Sequence, residues 1–297
     1  MKYKVTPSRR FFMVFAYAFM ILIAIICIAP LWHVLMASIS NPTMATNSKG
    51  LILWPLGHLD FKAYEIILGY GKLWKSYGNT ILYIIGQCIV TGIGTVIAGY
   101  VFSRKRFFYR NTFMMIISFT MLFNGGMIPT YLVVKELGLL NTIWALILPG
   151  AVPVFSVIMV MNFFKGIPKA LEEAAIIDGA SPLQVLTKVY IPCSKPVIAT
   201  TALFSIVGSW NDFMGGLIYM TKIENYPLQT YIQTLSIKLE DMLNSGGSIS
   251  SLINAMEVSA QNLNAAKIVV SVIPLLLIYP LLQKYLITGI VVGSVKE

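Results

Sequence analysis

Long apolar stretches separated by short polar segments run through the whole sequence. A helix that rises about 1.5 Å per residue needs roughly 20 apolar residues to cross a hydrocarbon core about 30 Å thick. Several charge-free stretches are at least that long. The pattern predicts an all-α integral membrane protein with six transmembrane helices. The predicted spans are residues 11–35, 77–102, 111–128, 141–164, 196–220 and 265–282.

Polar segments between the spans predict the loops. A tight linker joins the third and fourth spans, with Pro129, Lys135, Glu136 and Gly138 around it. Two longer loops, residues 36–76 and 221–264, lie on the opposite side from the termini, and the second is rich in Ser, Asn and Gly. Each is either a solvated loop or a contact surface for something outside the membrane.

Composition supports lipid as the main solvent of the chain. Charged residues make up 11% of the sequence against about a quarter in a soluble domain, hydrophobic residues make up 57%, and mean hydropathy is +0.76. The net charge of +10 could indicate nucleic-acid binding. However, the basic residues form short clusters against apolar spans, with no exposed domain around them. Membrane topology therefore explains the charge better than nucleic acid.

The distribution of basic residues predicts orientation. Of the 22 lysines and arginines, 14 fall on the side of the termini and 8 on the other. Because positive residues near span ends are retained in the cytoplasm, both termini are predicted to be cytoplasmic. The apolar run from Phe11 to Trp32 exceeds the core of a secretory signal, so the first span is retained. A single transmembrane domain, residues 11–290, is expected between terminal segments 1–10 and 291–297.

The one long cytoplasmic loop, residues 165–195, is predicted to form two short helices. Pro168 suits the first turn of a helix, and Gly179 can adopt the left-handed conformation that ends one. Ser181 can cap the second helix, with proline following it and Gln184 completing a capping box. The expected product is a compact helix-turn-helix at the membrane surface.

Two interpretations of this loop stay open on residue types alone. It could simply join two spans. Alternatively, Ala174 and Ala175 permit close approach by a partner, Glu173 offers a carboxylate for charge-assisted hydrogen bonds, and Gly179 allows a sharp reversal that presents the first helix outward.

The loop resembles the EAA motif of binding-protein-dependent ABC importer permeases. That motif reads Glu-Ala-Ala, three residues, Gly, nine residues, then aliphatic, any residue, aliphatic and Pro. The matching residues are Glu173, Ala174, Ala175, Gly179, Val189, Ile191 and Pro192. Val189 and Ile191 stand where Ile and Leu are commoner. Nearly the whole chain resembles the MalG-like carbohydrate-uptake permeases, and residues 124–142 and 209–213 resemble the LplC/YtcP-like subgroup most closely.

The resemblance implies the type I ABC importer fold, with a coupling helix between spans 4 and 5 that sits in a cleft of the ATPase subunit. The residues it assigns to ATPase coupling are Glu173, Ala174, Ala175, Asp178, Gly179 and Pro192. It also implies that the outward loop 221–264 contacts the solute-binding protein.

The implied partners are a second homologous permease subunit in a heterodimer, an ATPase subunit dimer that binds ATP and magnesium, and an extracellular or periplasmic solute-binding lipoprotein. The implied location is the bacterial cytoplasmic membrane. The implied substrate is an oligosaccharide, and the subgroup favours a plant or host glycan fragment that contains uronic acid. No cofactor of this chain's own is expected.

Catalytic and metal-binding patterns are missing from the sequence. Gly71-Lys72 is followed by leucine and lacks the leading glycine of a phosphate-binding loop, so ATP must be hydrolysed by another subunit. His33 and His58 are the two histidines, and no Ser-His-Asp set or HExxH stands out. The three cysteines lack pairing or metal-ligand spacing and are read as small hydrophobes. A non-catalytic subunit is therefore expected.

Asp212 is the carboxylate inside a predicted span, where ionisable groups tend to face a bundle interior or a water-filled path. Together with Trp210 and Asn211 it could line a translocation route, with Asn124 and Tyr131 as further candidates. Alternatively, Asp212 ends a bent helix and bonds to backbone. A different class of protein, an ion-coupled secondary transporter acting alone, would use Asp212 as its coupling carboxylate.

Small residues recur in the second span at Gly92, Gly94 and Gly99. Their number invites a dinucleotide-loop reading, but small residues about four apart in an apolar stretch let helices pack closely. We therefore expect close helix–helix contact there.

Overall fold

The computed structural model describes residues 7–69, 71–234 and 260–294, with side chains for residues 261–280 in the last range. The chain divides into two compact units. One comprises Met1–Tyr70 with Leu235–Ile273, and the other comprises Gly71–Thr234 with Pro274–Glu297. The described residues are predominantly helical, as the apolar pattern predicts.

We number the helices in chain order. The helices of the first half are α1 Pro7–Ser38, α2 Pro42–Asn47, α3 Lys62–Gly69, α4 Gly71–Ser103, α5 Arg110–Leu122 and α6 Met127–Glu136. Those of the second half are α7 Ile143–Ile147, α8 Val154–Lys165, α9 Lys169–Ile177, α10 Pro182–Val185, α11 Ile191–Cys193, α12 Lys195–Asn211, α13 Met214–Tyr219 and α14 Ala260–Ser294. Short 3-10 turns cover Leu148–Gly150 and Ile223–Asn225, and a π-helical segment covers Leu186–Tyr190.

Three continuous helices in the described residues are long and apolar enough to cross a membrane, namely Pro7–Ser38, Gly71–Ser103 and Gln261–Pro280. Three further pairs of helices meet the same test when each bent pair is taken as one span. The three continuous helices contain the predicted first span, the predicted second span and most of the predicted sixth. The third, fourth and fifth predicted spans are broken.

The expectation of a tight linker after the third span was wrong. The helix ends at Leu122, and a second helix, Met127–Glu136, occupies most of the predicted linker at an angle of 112° to the first. Asn124 explains the break, because its Oδ1 accepts a hydrogen bond from the Gly126 amide at 2.8 Å while Gly126 has φ +91°. Pro129 fits near the start of α6, where its missing N–H loses no helical bond.

Two other predicted spans are interrupted, one at a proline and one at a carboxylate. The fourth bends by 53° after a 3-10 turn, and Pro153 precedes α8. The fifth ends as a regular helix at Asn211, and Asp212 Oδ1 accepts a hydrogen bond from the Gly215 amide at 2.8 Å at the start of α13. These breaks place polar backbone within otherwise apolar segments.

The unit that comprises Gly71–Thr234 and Pro274–Glu297 is built around α4, which packs against α8 and α12. A Cβ on Gly99 would lie 2.7 Å from Val160 Cγ1, and one on Gly94 would lie 2.6 Å from Val152 Cγ2. The predicted close contact of small residues is thus present at these two positions. Gly92 instead faces open space, so the prediction was wrong there.

The other unit packs the end of α1 against α2 and the start of α14. Its core contains Met36, Ala37 and Ala265, and the buried Asn262 side chain donates to the carbonyl oxygens of Ala37 and Ser40 at 3.1 and 2.6 Å. Most of α1 exposes large apolar side chains, as expected for a helix surrounded by lipid.

Candidate functional site

The segment between α8 and α12 folds as the predicted pair of short helices. The first, α9, ends in a Schellman motif: the Ala180 amide donates to the Ala175 carbonyl at 2.9 Å and the Gly179 amide donates to the Ile176 carbonyl at 3.0 Å. Gly179 has φ +79°, the left-handed conformation expected of it. The chain therefore reverses sharply at the predicted glycine.

The second helix begins with the predicted capping box. The Ser181 amide donates to Gln184 Oε1 at 2.8 Å, and the Gln184 amide donates to Ser181 Oγ at 3.4 Å. Helical structure continues through the π-helical segment to Cys193, slightly beyond the predicted end near Ile191 and Pro192. A bend of 81° then leads into α12.

The residues assigned to ATPase coupling differ in their exposure to solvent. Glu173, Ala174, Asp178 and Gly179 are exposed, whereas Ala175 is half-buried against the apolar cluster beneath the loop. Pro192 is also exposed, at the far end of the second helix. The loop thus presents the Glu-Ala pair outward and anchors itself through the second alanine.

An ion pair that the sequence analysis missed ties this loop to the core. Glu172 on α9 pairs with Arg104, the first residue after α4. The Tyr190 hydroxyl donates to Glu172 Oε2 at 2.7 Å, and the Arg104 guanidinium lies 4.1 Å from the Tyr100 ring centroid and 4.8 Å from that of Tyr190. Arg104 also donates to the Tyr100 hydroxyl. One cation thus joins α4, α9 and the π-helical segment.

The electrostatics of this cluster favour its charged form. Burial opposes ionisation of Glu172, but hydrogen bonds from Tyr190 and Arg104, together with the Arg104 and Lys169 charges, outweigh it and lower the pKa of the carboxyl. Burial, followed by the hydrogen bond to Glu172, raises the pKa of Tyr190 to about 12. Glu172 is therefore a carboxylate, and Tyr190 a neutral donor, at neutral pH.

Helical spacing could have indicated that Glu172 faces the core. It lies three residues before the inward-facing Ala175 and therefore shares the same face of α9. Its partner Arg104 is distant in the sequence, and no local pattern relates the two.

A cleft of about 800 Å³ opens beside the cluster. Its walls carry many cations and the carboxylates Glu172 and Glu173. The basic lining residues are Arg104, Lys105, Arg106, Arg110, Lys165 and Lys169. The surface next to α9 is therefore strongly positive.

A second cavity, of about 610 Å³, lies among α4, α8 and α12, next to the bend in the predicted fourth span and to the helix end at Asn211 in the predicted fifth. Its wall combines the aromatic rings of Phe155 and Phe204 with several polar side chains. The polar lining residues are Tyr83, Gln87, Ser156, Ser205, Ser209 and Asp212. This mixture of apolar walls and a few polar groups is typical of a small-molecule site.

The predicted pathway residues do not all reach this cavity. Asp212 lines it, and its Oδ1 also accepts a hydrogen bond from the Gly215 backbone amide at the end of α12, as the second interpretation of that residue predicts; its place on a translocation route stays a prediction. Trp210 and Asn211 are not among the lining residues; Trp210 is buried and Asn211 is exposed. Asn124 lies at the break before α6, and Tyr131 stacks on another tyrosine outside the cavity.

Gln87 is one of the polar lining residues that the sequence analysis passed over. Its Nε2 donates to the Gly150 carbonyl at 2.9 Å and to Thr91 Oγ1 at 3.0 Å. A lone amide in a long apolar helix signals such a site, because polar groups at membrane depth need a partner or a function.

No group of three potential metal-ligating side chains occurs within the described ranges. The three cysteines are unpaired thiols.

The comparison with protein families decides what kind of molecule this is. Residues 90–292 match the model of the binding-protein-dependent transport system inner membrane component. The chain belongs to this family. The matched region contains the loop between α8 and α12, and it contains Asp212. The protein is thus an integral-membrane subunit of an importer and not its enzyme.

Curated relatives of this family member cover nearly its full length. The polygalacturonan/rhamnogalacturonan transport system permease protein YtcP of Bacillus subtilis (strain 168) is 37% identical over 97% of this chain and 99% of its own. Protein LplC of the same organism is also 37% identical, over 98% and 97%.

A solved structure resembles the permease closely. It is the crystal structure of a bacterial ABC transporter involved in the import of the acidic polysaccharide alginate, with a TM-score of 0.81 and 32% identity over 95% of this chain and 99% of the matched chain. At this identity the likeness extends beyond the fold to the ABC importer class.

Proposed function

We propose that this permease carries a uronic-acid-containing oligosaccharide across the bacterial cytoplasmic membrane. An external solute-binding protein delivers the sugar, a separate ATPase dimer supplies the energy, and a second homologous permease completes the path. The observation that carries this proposal is the exposed, capped loop with its Glu-Ala-Ala sequence in a member of the importer family. The names of YtcP and of the alginate importer support an acidic polysaccharide fragment as the substrate class.

Coupling to the ATPase is assigned to α9 and the start of α10. The exposed surface here includes Glu173, Ile177 at 85% exposure and Leu183 at 69%. Apolar side chains this exposed on a cytoplasmic loop are suited to a partner's cleft, with Glu173 available for a charge-assisted hydrogen bond. The opposite face is held to the core by Glu172. Movement of the exposed face of α9 is therefore transmitted to α4 through the ion pair between Glu172 and Arg104.

Sugar passage is assigned to the cavity among α4, α8 and α12. Irregular backbone at membrane depth is tolerated where it lines a cavity, and the helix breaks at Gly150 and at Asp212 both border this one. With both termini in the cytoplasm, the loop that follows α13 faces outward. The first part of this loop is held against α4, because Asn79 Nδ2 donates to the carbonyl oxygens of Glu224 and Tyr226.

The outward loop 221–264 is the proposed contact for the binding protein, and residues 235–259 of it lie outside the described residues. Removing part of the loop should weaken docking of the binding protein to the importer in nanodiscs. Undiminished docking would contradict this assignment.

Charge reversal at Glu173 tests coupling. In proteoliposomes that contain the complete importer, Glu173→Lys should leave the permease inserted but reduce sugar uptake per ATP hydrolysed, because the cleft would meet a cation in place of a carboxylate. Gly179→Val should act similarly by distorting the reversal, since its positive φ costs a side-chain-bearing residue about 1–2 kcal/mol.

Thr187→Ala is the matched control. Thr187 is exposed on the same loop, and its hydroxyl donates to the Leu183 carbonyl within its own helix. Its uptake per ATP should equal that of the unaltered protein. Normal coupling in Glu173→Lys would contradict the coupling assignment.

A further inference from the structure

We propose that the basic cleft between residues 104–110 and α9 binds the phosphate head group of an anionic phospholipid, with Lys105 and Arg106 as its main ligands. Phe108, next to them in the sequence, enters the membrane interface beside that head group. The inference goes beyond the proposed function, because it concerns a lipid held by the permease and not the sugar that the permease carries.

The cations of the cleft lie where apolar helices end. Arg104 directly follows α4, Arg110 begins α5 and Lys165 ends α8, and all three line the cleft. These helices belong to the predicted second, third and fourth spans, so the ends that meet here lie at the surface of the bilayer. Basic side chains at this depth meet the phosphates of lipid head groups.

Charge in the cleft is unbalanced, and part of it is available to a ligand. Six basic side chains line the cleft against two carboxylates, Glu172 and Glu173, and the first of these is paired with Arg104. Lys105 and Arg106 are exposed, and neither has a carboxylate within ion-pair distance in the described ranges. An anion is therefore the expected ligand, and phosphate oxygens suit both side chains.

Aromatic side chains beside these cations distinguish a lipid from a free anion. Phe108 is 88% exposed and Tyr109 is 60% exposed, with their ring centroids 5.0 Å apart. Phe107 instead contacts the rings of Phe102 and Phe113. Two large rings left in water are unfavourable, whereas aromatic side chains are enriched at head-group depth. A soluble phosphate would leave both rings uncovered.

The helix α5 supplies a surface for the acyl chains. It starts at the cleft with Arg110, and each of its side chains is at least partly exposed. Most of these side chains are apolar, among them Met115 at 69% exposure and Ile116 at 52%. A lipid whose head group occupies the cleft can therefore lay its chains along α5.

An acidic surface of the ATPase subunit is the other partner that charge alone would allow. The face assigned to that subunit carries the exposed apolar residues Ile177 and Leu183, and neither lines the cleft. The cleft cations lie at the ends of apolar helices, next to exposed aromatic rings. The surroundings of the cleft therefore match a lipid better than a soluble subunit.

The test measures lipid binding to the purified complete importer by native mass spectrometry in detergent. Phosphatidylglycerol should bind more tightly than phosphatidylcholine with the same acyl chains. Lys105→Gln combined with Arg106→Gln should weaken phosphatidylglycerol binding about 10-fold, the usual effect of losing a hydrogen bond to a charged group. Equal affinity for the two lipids, or unchanged affinity in the variant, would overturn the site.

Lys188→Gln combined with Lys195→Gln is the matched control. Both lysines are exposed, Lys195 begins α12 at another helix end, and neither lines the cleft. This pair of changes removes the same charge and should leave phosphatidylglycerol binding unchanged. Equal weakening in the control would show that positive charge in general attracts the lipid, which would overturn the cleft as its site.

Two further measurements separate the lipid from the other ligands. Phe108→Ser should weaken phosphatidylglycerol binding at least about 3-fold, because the ring leaves water when the lipid binds. Inorganic phosphate at the concentration of the lipid should not displace it. Displacement by phosphate, or no effect of Phe108→Ser, would make the cleft a site for free anions and overturn the proposal.

The ATPase is tested by assembly. In lipid-free detergent, the variant with Lys105→Gln and Arg106→Gln should bind the ATPase subunit as tightly as the unaltered permease does. Weaker assembly in this variant than in the lysine control would assign the cleft to the ATPase and refute the lipid site. Lipid binding needs neither sugar nor nucleotide, so failure to transport the proposed sugar would leave these results unaffected.

Discussion

Removing Arg104 is the sharpest test of how the cytoplasmic loop is connected to the membrane helices. The side chains of Arg104 and Glu172 are 23% and 22% exposed, so the pair lies between a surface ion pair and a fully buried one. A surface pair contributes about 0–1 kcal/mol and a broken buried pair costs about 3–5 kcal/mol. Arg104→Met should therefore destabilise the attachment of α9 by about 2 kcal/mol.

That loss has a measurable consequence for transport. At about 1.4 kcal/mol per factor of ten, 2 kcal/mol lowers the equilibrium constant for the attached loop about 30-fold. We expect Arg104→Met to retain nucleotide-dependent phosphate release while sugar uptake per ATP falls. Uptake and phosphate release are measured in the same proteoliposomes, and hydrogen–deuterium exchange of residues 169–177 reports the loop directly.

Arg110→Met is the matched control. Arg110 borders the same cleft, and its side chain donates to neighbouring Asn111, so this change removes the same charge without touching α9. Adding Glu172→Leu to Arg104→Met should cost little more than Arg104→Met alone, because the link is already broken. Full additivity of the two changes, or an equal defect in Arg110→Met, would refute the attachment.

Two further predictions concern packing and pH. Gly99→Ala should lower the thermal stability of the purified complex, because the added Cβ would lie 2.7 Å from Val160 Cγ1 and 3.2 Å from the Met161 amide nitrogen. Gly92→Ala is the control and should leave the thermal stability unchanged, since Gly92 faces open space. Equal shifts in melting temperature for the two variants would contradict the packing. Because the pKa of Glu172 is lowered from 4.5, its contribution to loop attachment is complete above that value and is lost as pH falls through the lowered pKa. Amide exchange in α9 should therefore show an acid-induced loosening that Glu172→Gln abolishes.

Local signals in the sequence were enough to predict the loop. The capping box at Ser181 and Gln184 and the left-handed glycine at Gly179 depend on residues a few positions apart, so their geometry could be anticipated. Long uninterrupted apolar runs likewise predicted α1 and α4. Each of these features is governed by one segment of chain.

The breaks within the other spans could not be read from hydrophobicity. Apolar residues stand on both sides of Asn124 and of Asp212, and the helix breaks there depend on which backbone amide each side chain reaches. Gln87 was overlooked for a related reason, because its side-chain amide donates to the carbonyl of Gly150, which is distant in the sequence. Contacts such as Arg104 with Glu172 arise from the tertiary arrangement alone.

The π-helical segment Leu186–Tyr190 matters for how relatives are compared. A π turn holds one residue more than an α turn, and a single residue rotates an α-helix by about 100°. Losing one residue here would turn everything that follows by that amount unless the segment relaxed to a regular helix. When permeases are aligned, a single-residue gap at 186–190 should therefore mark a relative in which this segment is a regular α-helix. In such a relative the residue equivalent to Tyr190 should still contact the carboxylate equivalent to Glu172.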